Sequence, residues 1–196
     1  MLDLRTVRQR ISLHRPVLAN DPAPTTVHAS VALILHEAHG AEPEMLFIER
    51  AEREGDPWSG HMAFPGGRRQ SDDPDLTATA LRETEEEVGF KPDLVLGRID
   101  DFTGARGPII PQLRVASIVC EVTAKPTIRL NHEVRSAVWV PLSWISSPAS
   151  RTQHRIPNDS SLRPAFRYDR YVVWGLTYRI LCDFFVILGQ PLHSDE

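Results

Sequence analysis

Apolar positions fall into two periods along the chain. The run TTVHASVALILHEA (residues 25–38) is rich in β-branched and aliphatic residues and reads as a strand, as does EMLFIER (44–50) after a turn; the two can pair as a hairpin. LVLGRIDDF, LRVASIVCEVT and VRSAVWV read as further strands, with a short helix at PLSWISS and two more strands flanking PNDSS. VWGLTYRILCDFFVIL closes the pattern as an amphipathic to nearly buried helix. At the other end, Leu2, Leu4, Val7, Ile11 and Leu13 form a helical stripe that stops before Pro16. Strands and helices mix without a regular βαβ alternation, so the expected fold class is α+β, or a three-layer arrangement, rather than a Rossmann sheet.

The stretch FPGGRRQSDDPDLTATALRETEEEVGF (64–90) predicts one more helix. Asp73 is placed to cap it, Pro74 to occupy its first position and Gly89 to stop it. At about 100° per residue, Thr77, Ala80, Leu81, Thr84 and Val88 share a core face, and Glu83, Glu86 and Glu87 share another arc that Glu85 leaves. Like charges at this spacing destabilise a helix, and its C-terminal end is itself electronegative. Two readings stand: a solvated acidic face, or a seat for a hard divalent cation, which takes carboxylate oxygens together with substrate phosphates.

The chain has 196 residues, with 41% hydrophobic, 24% charged and a net charge of −4. That length fits a single domain with a sizeable core, divided here into a helix and linker over 1–24 and a body over 25–196. The acidic balance argues against general affinity for nucleic acid or anionic membranes, so an anionic ligand has to be held locally. No apolar stretch reaches the about 18 residues needed to span a bilayer. The N-terminal arginines have the balance of a mitochondrial presequence, but the stripe reads better as a short docking helix. Two cysteines, Cys120 and Cys182, make no disulfide framework or metal spacing and suit a reducing cytoplasm, the expected location. The eight histidines show no ligand spacing either, and His61 and His132 read as structural or surface groups.

Gly67 and RETEEEVGF resemble the Nudix box, G-x5-E-x7-R-E-U-x-E-E-x-G-U with U a bulky apolar residue. Arg82, Glu83, Glu86, Glu87 and Gly89 match in identity and spacing, and Phe90 fits the final position. The chain departs from the pattern at Asp73, where the box has Glu, in the eight-residue gap from there to Arg82, and at Thr84. The resemblance implies a Nudix fold, a mixed sheet sandwiched between helices, that hydrolyses a nucleoside diphosphate linked to another moiety with Mg²⁺ or Mn²⁺. It implies Glu83, Glu86, Glu87 and a Gly67 carbonyl as metal ligands, Glu86 among the catalytic groups, and Arg82 as the residue that orients a glutamate.

Beyond the box, SGHMAFPGG and VVWGLTYRIL are similar to the coenzyme A pyrophosphatase branch, through Gly60, Phe64, Pro65, Gly66 and Gly67 and through Trp174, Gly175 and Thr177; DDFTGARGPIIP resembles that branch's loop before a strand. The branch usually carries Arg where this chain has Asp56, which leaves Arg50 and Arg53 as alternative phosphate contacts, beside Arg68 and Arg69 after the diglycine. Arg50 and Arg53 also read as solvated surface groups. Trp58 reads as a packing anchor or an adenine stack, and Trp139, Trp144 and Trp174 as core. The leading expectation is cleavage of coenzyme A or acyl-coenzyme A into adenosine 3′,5′-bisphosphate and 4′-phosphopantetheine. Its rivals are a pyrophosphatase for ADP-ribose, NADH or nucleotide sugars, and a catalytically silent nucleotide-sensing module. The partner expected is a small molecule, not nucleic acid or membrane, and a homodimer is left open.

Overall fold

The computed structural model describes residues 2–19, 26–38, 41–53, 59–106, 110–156 and 161–192, with the side chains of 104–106 and 110–112 excepted. In chain order the elements are α1 (Leu4–Leu13), β1 (Val27–His36), β2 (Glu44–Arg50), β3 (Met62–Ala63), β4 (Gly66–Arg68), α2 (Leu76–Val88), β5 (Leu94–Arg106), β6 (Ile110–Val122) and β7 (Val134–Pro141). There follow α3 (Leu142–Ser146), β8 (Arg151–Arg155), β9 (Leu162–Tyr168), β10 (Tyr171–Trp174) and α4 (Gly175–Ile187).

The main sheet is mixed, ordered β3-β2-β1-β6-β5, with β7 also on β2 and β4 also on β1. β1 and β6 run parallel from Val27↔Leu113 to His36↔Val122. Both faces of this pair are covered, which accounts for the nearly continuous apolar run of ALIL in β1. The expected hairpin of β1 with β2 exists only at Leu35↔Met45 and His36↔Glu44. β2 then pairs with β7, while the lower part of β1 takes β4 as partner at Ala29–Val31. β1 thus changes neighbour midway, and the new neighbour is the diglycine.

Alternation sorts the core into two layers. Ala32, Ile34, Leu46, Ile48, Ala116 and Ile118 pack under α2 with Ala80 and Val88. Leu33, Leu35, Met45, Phe47, Val115 and Val119 pack on the other side with Val7 and Ile11 of α1 and Phe184 and Phe185 of α4. The result is an α+β fold with a mixed sheet between helices. A small antiparallel sheet, β10-β9-β8, adds Phe166 and Val173 to the second layer. Asp3 caps α1 by accepting from the Thr6 amide at 2.7 Å. The helix lies so close to β5 that a Cβ on Gly97 would stand 2.7 Å from Ile11 Cγ2. Arg8 pairs with buried Glu121 of the neighbouring strand β6 at 2.5 Å and fastens α1 to the sheet.

Several expectations need correction. Asp75, not Asp73, caps α2 by accepting from the Ala78 amide at 2.8 Å. The buried face of α2 includes Leu76 and Thr79, whereas Thr77 and Leu81 are only half-buried. Trp144 is exposed, with its indole N–H donated to the Arg167 carbonyl at 2.8 Å, and Trp139 and Trp174 are half-buried. Phenylalanines fill the core instead, because a buried indole needs a partner for its N–H. The segment DDFTGARGPIIP is mostly strand, the end of β5 and the start of β6. Asp56, Trp58 and residues 157–160 lie outside the described residues.

Candidate active site

The site is built on the bare edge of β4. Gly66 has φ +154°, and a Cβ there would stand 2.3 Å from the Ser30 carbonyl oxygen. Gly67 is bare for a different reason: its Cβ would stand 2.5 Å from Glu83 Cδ and 2.6 and 2.7 Å from the two carboxylate oxygens. Side chains at either position would exclude α2 or β1 from the edge. The Gly66 amide, freed to point at α2, donates to Glu87 Oε2 at 2.8 Å.

Arg82 organises the acidic helix. Its Nε donates to Asp73 Oδ1 at 2.9 Å and its Nη2 to Asp73 Oδ2 at 3.0 Å. Nη2 also reaches Glu83 Oε1 at 2.9 Å and the Arg68 carbonyl at 3.2 Å, and Nη1 meets both Glu86 oxygens at 3.2 Å. Asp73 is itself buried, accepting from the Gln70 amide at 2.9 Å and the Thr79 hydroxyl at 3.0 Å. The guanidinium first, and then the Gln70 amide, hold its carboxyl well below the usual range. The departure at Asp73 therefore leaves a planar, bidentate anchor in place.

The four glutamates have different surroundings. Glu85 faces solvent and pairs with Lys91 at 2.8 Å, away from the others. Glu86 is half-exposed on Arg82. Glu83 is mostly buried against Gly67, and burial raises its pKa. Glu87 is only 2% exposed. Burial pushes its pKa up to about 8, aided by Glu83 and Glu133 and opposed by the Gly66 amide and Arg50.

Glu83 opens into a cavity of about 600 Å³ that Gly66, Gly67, Arg50, Arg68 and Glu133 also line. Glu133 was not legible as a site residue, because it precedes β7 with no motif around it. Its backbone is pinned from two sides: its carbonyl accepts from the Ala51 amide at 2.7 Å, and its amide donates to Asn131 Oδ1 at 2.8 Å. Of the four arginines, Arg50 and Arg68 line the cavity. Arg53 pairs with Glu133 at 3.1 Å, and Arg69 turns away to the Asp73 and Pro74 carbonyls at 3.0 and 3.1 Å. His61 lines the cavity, whereas His132 is exposed.

The C-terminal segment meets the diglycine segment across this cavity. Thr177 donates its hydroxyl to the Met62 carbonyl at 3.1 Å. Trp174 packs edge-on to His61 with ring centroids 4.7 Å apart and stacks on His154 at 4.3 Å. Gly175, at φ +66°, turns the chain from β10 into α4 at the cavity wall.

The donors gathered here are carboxylate oxygens, which suit a hard divalent cation rather than a softer ion. Among the described residues no three His, Cys, Asp or Glu side chains are grouped closely enough to hold a metal ion between them as they stand. Glu83 and Glu133 face the cavity, Glu87 is held against its diglycine edge, and Glu86 stands outside on Arg82. The bare Gly67 lets the Glu83 carboxylate pack directly against the diglycine edge of the cavity. The residues fit a hard divalent ion.

Fold and site together define an α+β domain that sets a cluster of acids from one helix beside a cavity. The NUDIX domain family model matches residues 26–161, and the chain belongs to that family as a Nudix hydrolase, a group that generally uses divalent metals. An uncharacterized Nudix hydrolase NudL of Citrobacter koseri is 29% identical over 96% of each chain. The Schizosaccharomyces pombe protein C14C4.10c is 32% identical over 87% of this chain, which spans only 57% of that relative's length. Among solved structures, a MutT/nudix family protein from Enterococcus faecalis has a TM-score of 0.59 at 14% identity, over 96% of this chain and 70% of its own. The NUDIX domain of Shewanella oneidensis NrtR, complexed with ADP ribose, has a TM-score of 0.51 at 14% identity, over 73% and 85%. Among the described residues no helix is long and apolar enough to cross a membrane.

Proposed function

We propose that the protein hydrolyses the pyrophosphate bond of coenzyme A or acyl-coenzyme A, releasing adenosine 3′,5′-bisphosphate and the (acyl) 4′-phosphopantetheine. The observation that carries this reading is the meeting of SGHMAFPGG and WGLT, through Thr177 on Met62 and Trp174 on His61, around the cavity that holds Glu83. Both segments resemble the coenzyme A branch, and they converge on one site although their contacting residues Met62 and Thr177 are 115 positions apart.

Glu83 and Glu87, with Glu86 and a Gly67 carbonyl as further donors, would hold the cation. When bound, Mg²⁺ or Mn²⁺ neutralises phosphate charge and makes a coordinated water more acidic. A water oxygen attacks one phosphorus, the bond from that phosphorus to the bridging oxygen breaks, and the bridging oxygen leaves on the other phosphate. Glu133, on its pinned backbone, is the carboxylate assigned to take the water's proton. Arg82 keeps Glu83 and Glu86 in place through Asp73, and Arg50 and Arg68 supply positive charge to the diphosphate.

Purified protein given coenzyme A, dephospho-coenzyme A, ADP-ribose and NADH with Mg²⁺, with products resolved by chromatography, tests the assignment. The expected outcome is the two named products from coenzyme A and at least tenfold lower kcat/KM on ADP-ribose. Preference for ADP-ribose would replace it with the broader diphosphate-hydrolase reading.

A further inference from the structure

The cavity continues past the diglycine into a part that the carboxylates do not touch. Its floor is one face of the β1–β6 ladder: Val27, Ala29 and Val31 alternate along β1, with Leu113 opposite Val27. Its roof is Leu176 and Ile180, one turn apart on α4. Gly66 is the ladder partner of Val31, so the floor begins beside the phosphate end. Val27 lies four residues farther on, roughly 13 Å at strand spacing. Thr177, the hydroxyl nearest the roof in sequence, has already donated its proton to the Met62 carbonyl.

We propose that this aliphatic slot seats the non-nucleotide half of the substrate and selects a largely aliphatic arm over a sugar, with Leu113 and Leu176 as specificity-determining residues. The proposal rests on the diphosphate-hydrolase reading of the adjoining carboxylates. An arm of methylene and methyl groups replaces water along about 13 Å of apolar wall, a gain of about fourfold in affinity for each methylene fully buried. A ribose or hexose would bring several hydroxyls to the same wall, where Val27, Leu113, Leu176 and Ile180 offer no partner. An apolar pocket discriminates against a single added hydroxyl by about a hundredfold.

The probes are ADP esterified on its terminal phosphate with methyl, butyl and octyl alcohols, together with ADP-glucose. With Mg²⁺, kcat/KM should rise at least thirtyfold from methyl to butyl, and ADP-glucose should fall below the butyl ester. In Leu176→Gln and Leu113→Thr, each checked for folding by its thermal midpoint, the butyl-to-methyl ratio should drop at least tenfold. The affinities of the same esters, measured by calorimetry without turnover, should follow the same order. A flat affinity series in the wild-type protein, or a ratio that neither folded variant changes, overturns the slot. Rising affinity without hydrolysis of any ester strikes the diphosphate-hydrolase reading alone, and a rising series with no cleavage of coenzyme A strikes only that substrate.

Discussion

Replacing Gly67 by alanine puts the most direct demand on the site. The new methyl would stand 2.5 Å from Glu83 Cδ, whereas carbon contacts settle at about 3.5–4.0 Å, so the carboxylate has to withdraw by about 1 Å. Glu83 cannot do so freely, because Arg82 Nη2 holds Oε1 at 2.9 Å and that guanidinium is clamped on Asp73. Overpacking of this kind costs about 1–3 kcal/mol, and a strained charge-assisted bond adds about 1 kcal/mol. For a chain of this size the thermal midpoint should fall by roughly 4–16 °C. Misplacing a reacting group by 1 Å can cost about a hundredfold in rate, so kcat should fall by about that factor while the protein still folds.

Gly66→Ala should behave differently, since its methyl would meet the Ser30 carbonyl and Val31 Cα, backbone that no rotamer can move. Soluble yield is expected to collapse there. The control is the cycle of Gly67→Ala with Glu83→Ala, because truncating Glu83 removes the obstructed carboxylate. Differential scanning fluorimetry on all four proteins should show the double variant more stable than the two single effects added. If Gly67→Ala keeps its midpoint within 1 °C and its turnover within twofold, or if the cycle is additive, the close approach of Gly67 to Glu83 is not a constraint.

The remaining predictions concern charge. Glu85→Gln should leave turnover within about twofold, because its exposed pair with Lys91 contributes at most about 1 kcal/mol, whereas Glu87→Gln should remove most of it; equal damage in a steady-state assay would refute the division of the helix into faces. Mg²⁺ or Mn²⁺ at a hundred times its dissociation constant should stabilise the fold by about 2.7 kcal/mol, and full activity in excess EDTA would contradict the cation seat. Asp73 has its carboxyl pKa lowered in the fold, so its contribution is present above its unfolded value and is lost as pH falls through the folded one. Urea titrations from about pH 5 down to pH 2 should therefore show a steeper loss for the wild-type protein than for Asp73→Asn, and parallel curves would sink this account.

How much of this was readable from the chain follows from the range of the forces involved. Periodicity located β1, β2, α2 and α4, since burial of one face leaves a local signature. The box residues were legible because their spacing is helical and therefore rigid. Partner choice was not: nothing local says that β1 leaves β2 after two residue pairs and takes a diglycine strand instead. The cap of α2 was misplaced for a related reason. Asp73 has a cap's composition and position, but Arg82, nine residues on, claims its side chain, and Asp75 takes the capping role. Glu133 was invisible because its importance comes from backbone bonds to Ala51 and Asn131, which sequence pattern does not encode.

The crowding of glutamates at the end of α2 has a structural explanation that also places the site. A helix C-terminus normally gathers lysine or arginine around its open carbonyls. Here the carbonyls are closed by backbone instead: Gly89, in the left-handed region at φ +80°, donates its amide to Glu85, Arg129 donates to Val88 at 2.9 Å and Asn131 to Glu87 at 3.2 Å. Gly89 is required there as much for space as for conformation, since a Cβ would stand 2.8 Å from Arg129 Cβ. With the helix end satisfied by a neighbouring peptide, no lysine or arginine has to sit on its open carbonyls, and Glu83 and Glu87 stay turned toward the diglycine edge. The peptide that does the satisfying runs on through Asn131 to Glu133, so closing the helix and delivering another carboxylate to the same cavity are consequences of one chain crossing.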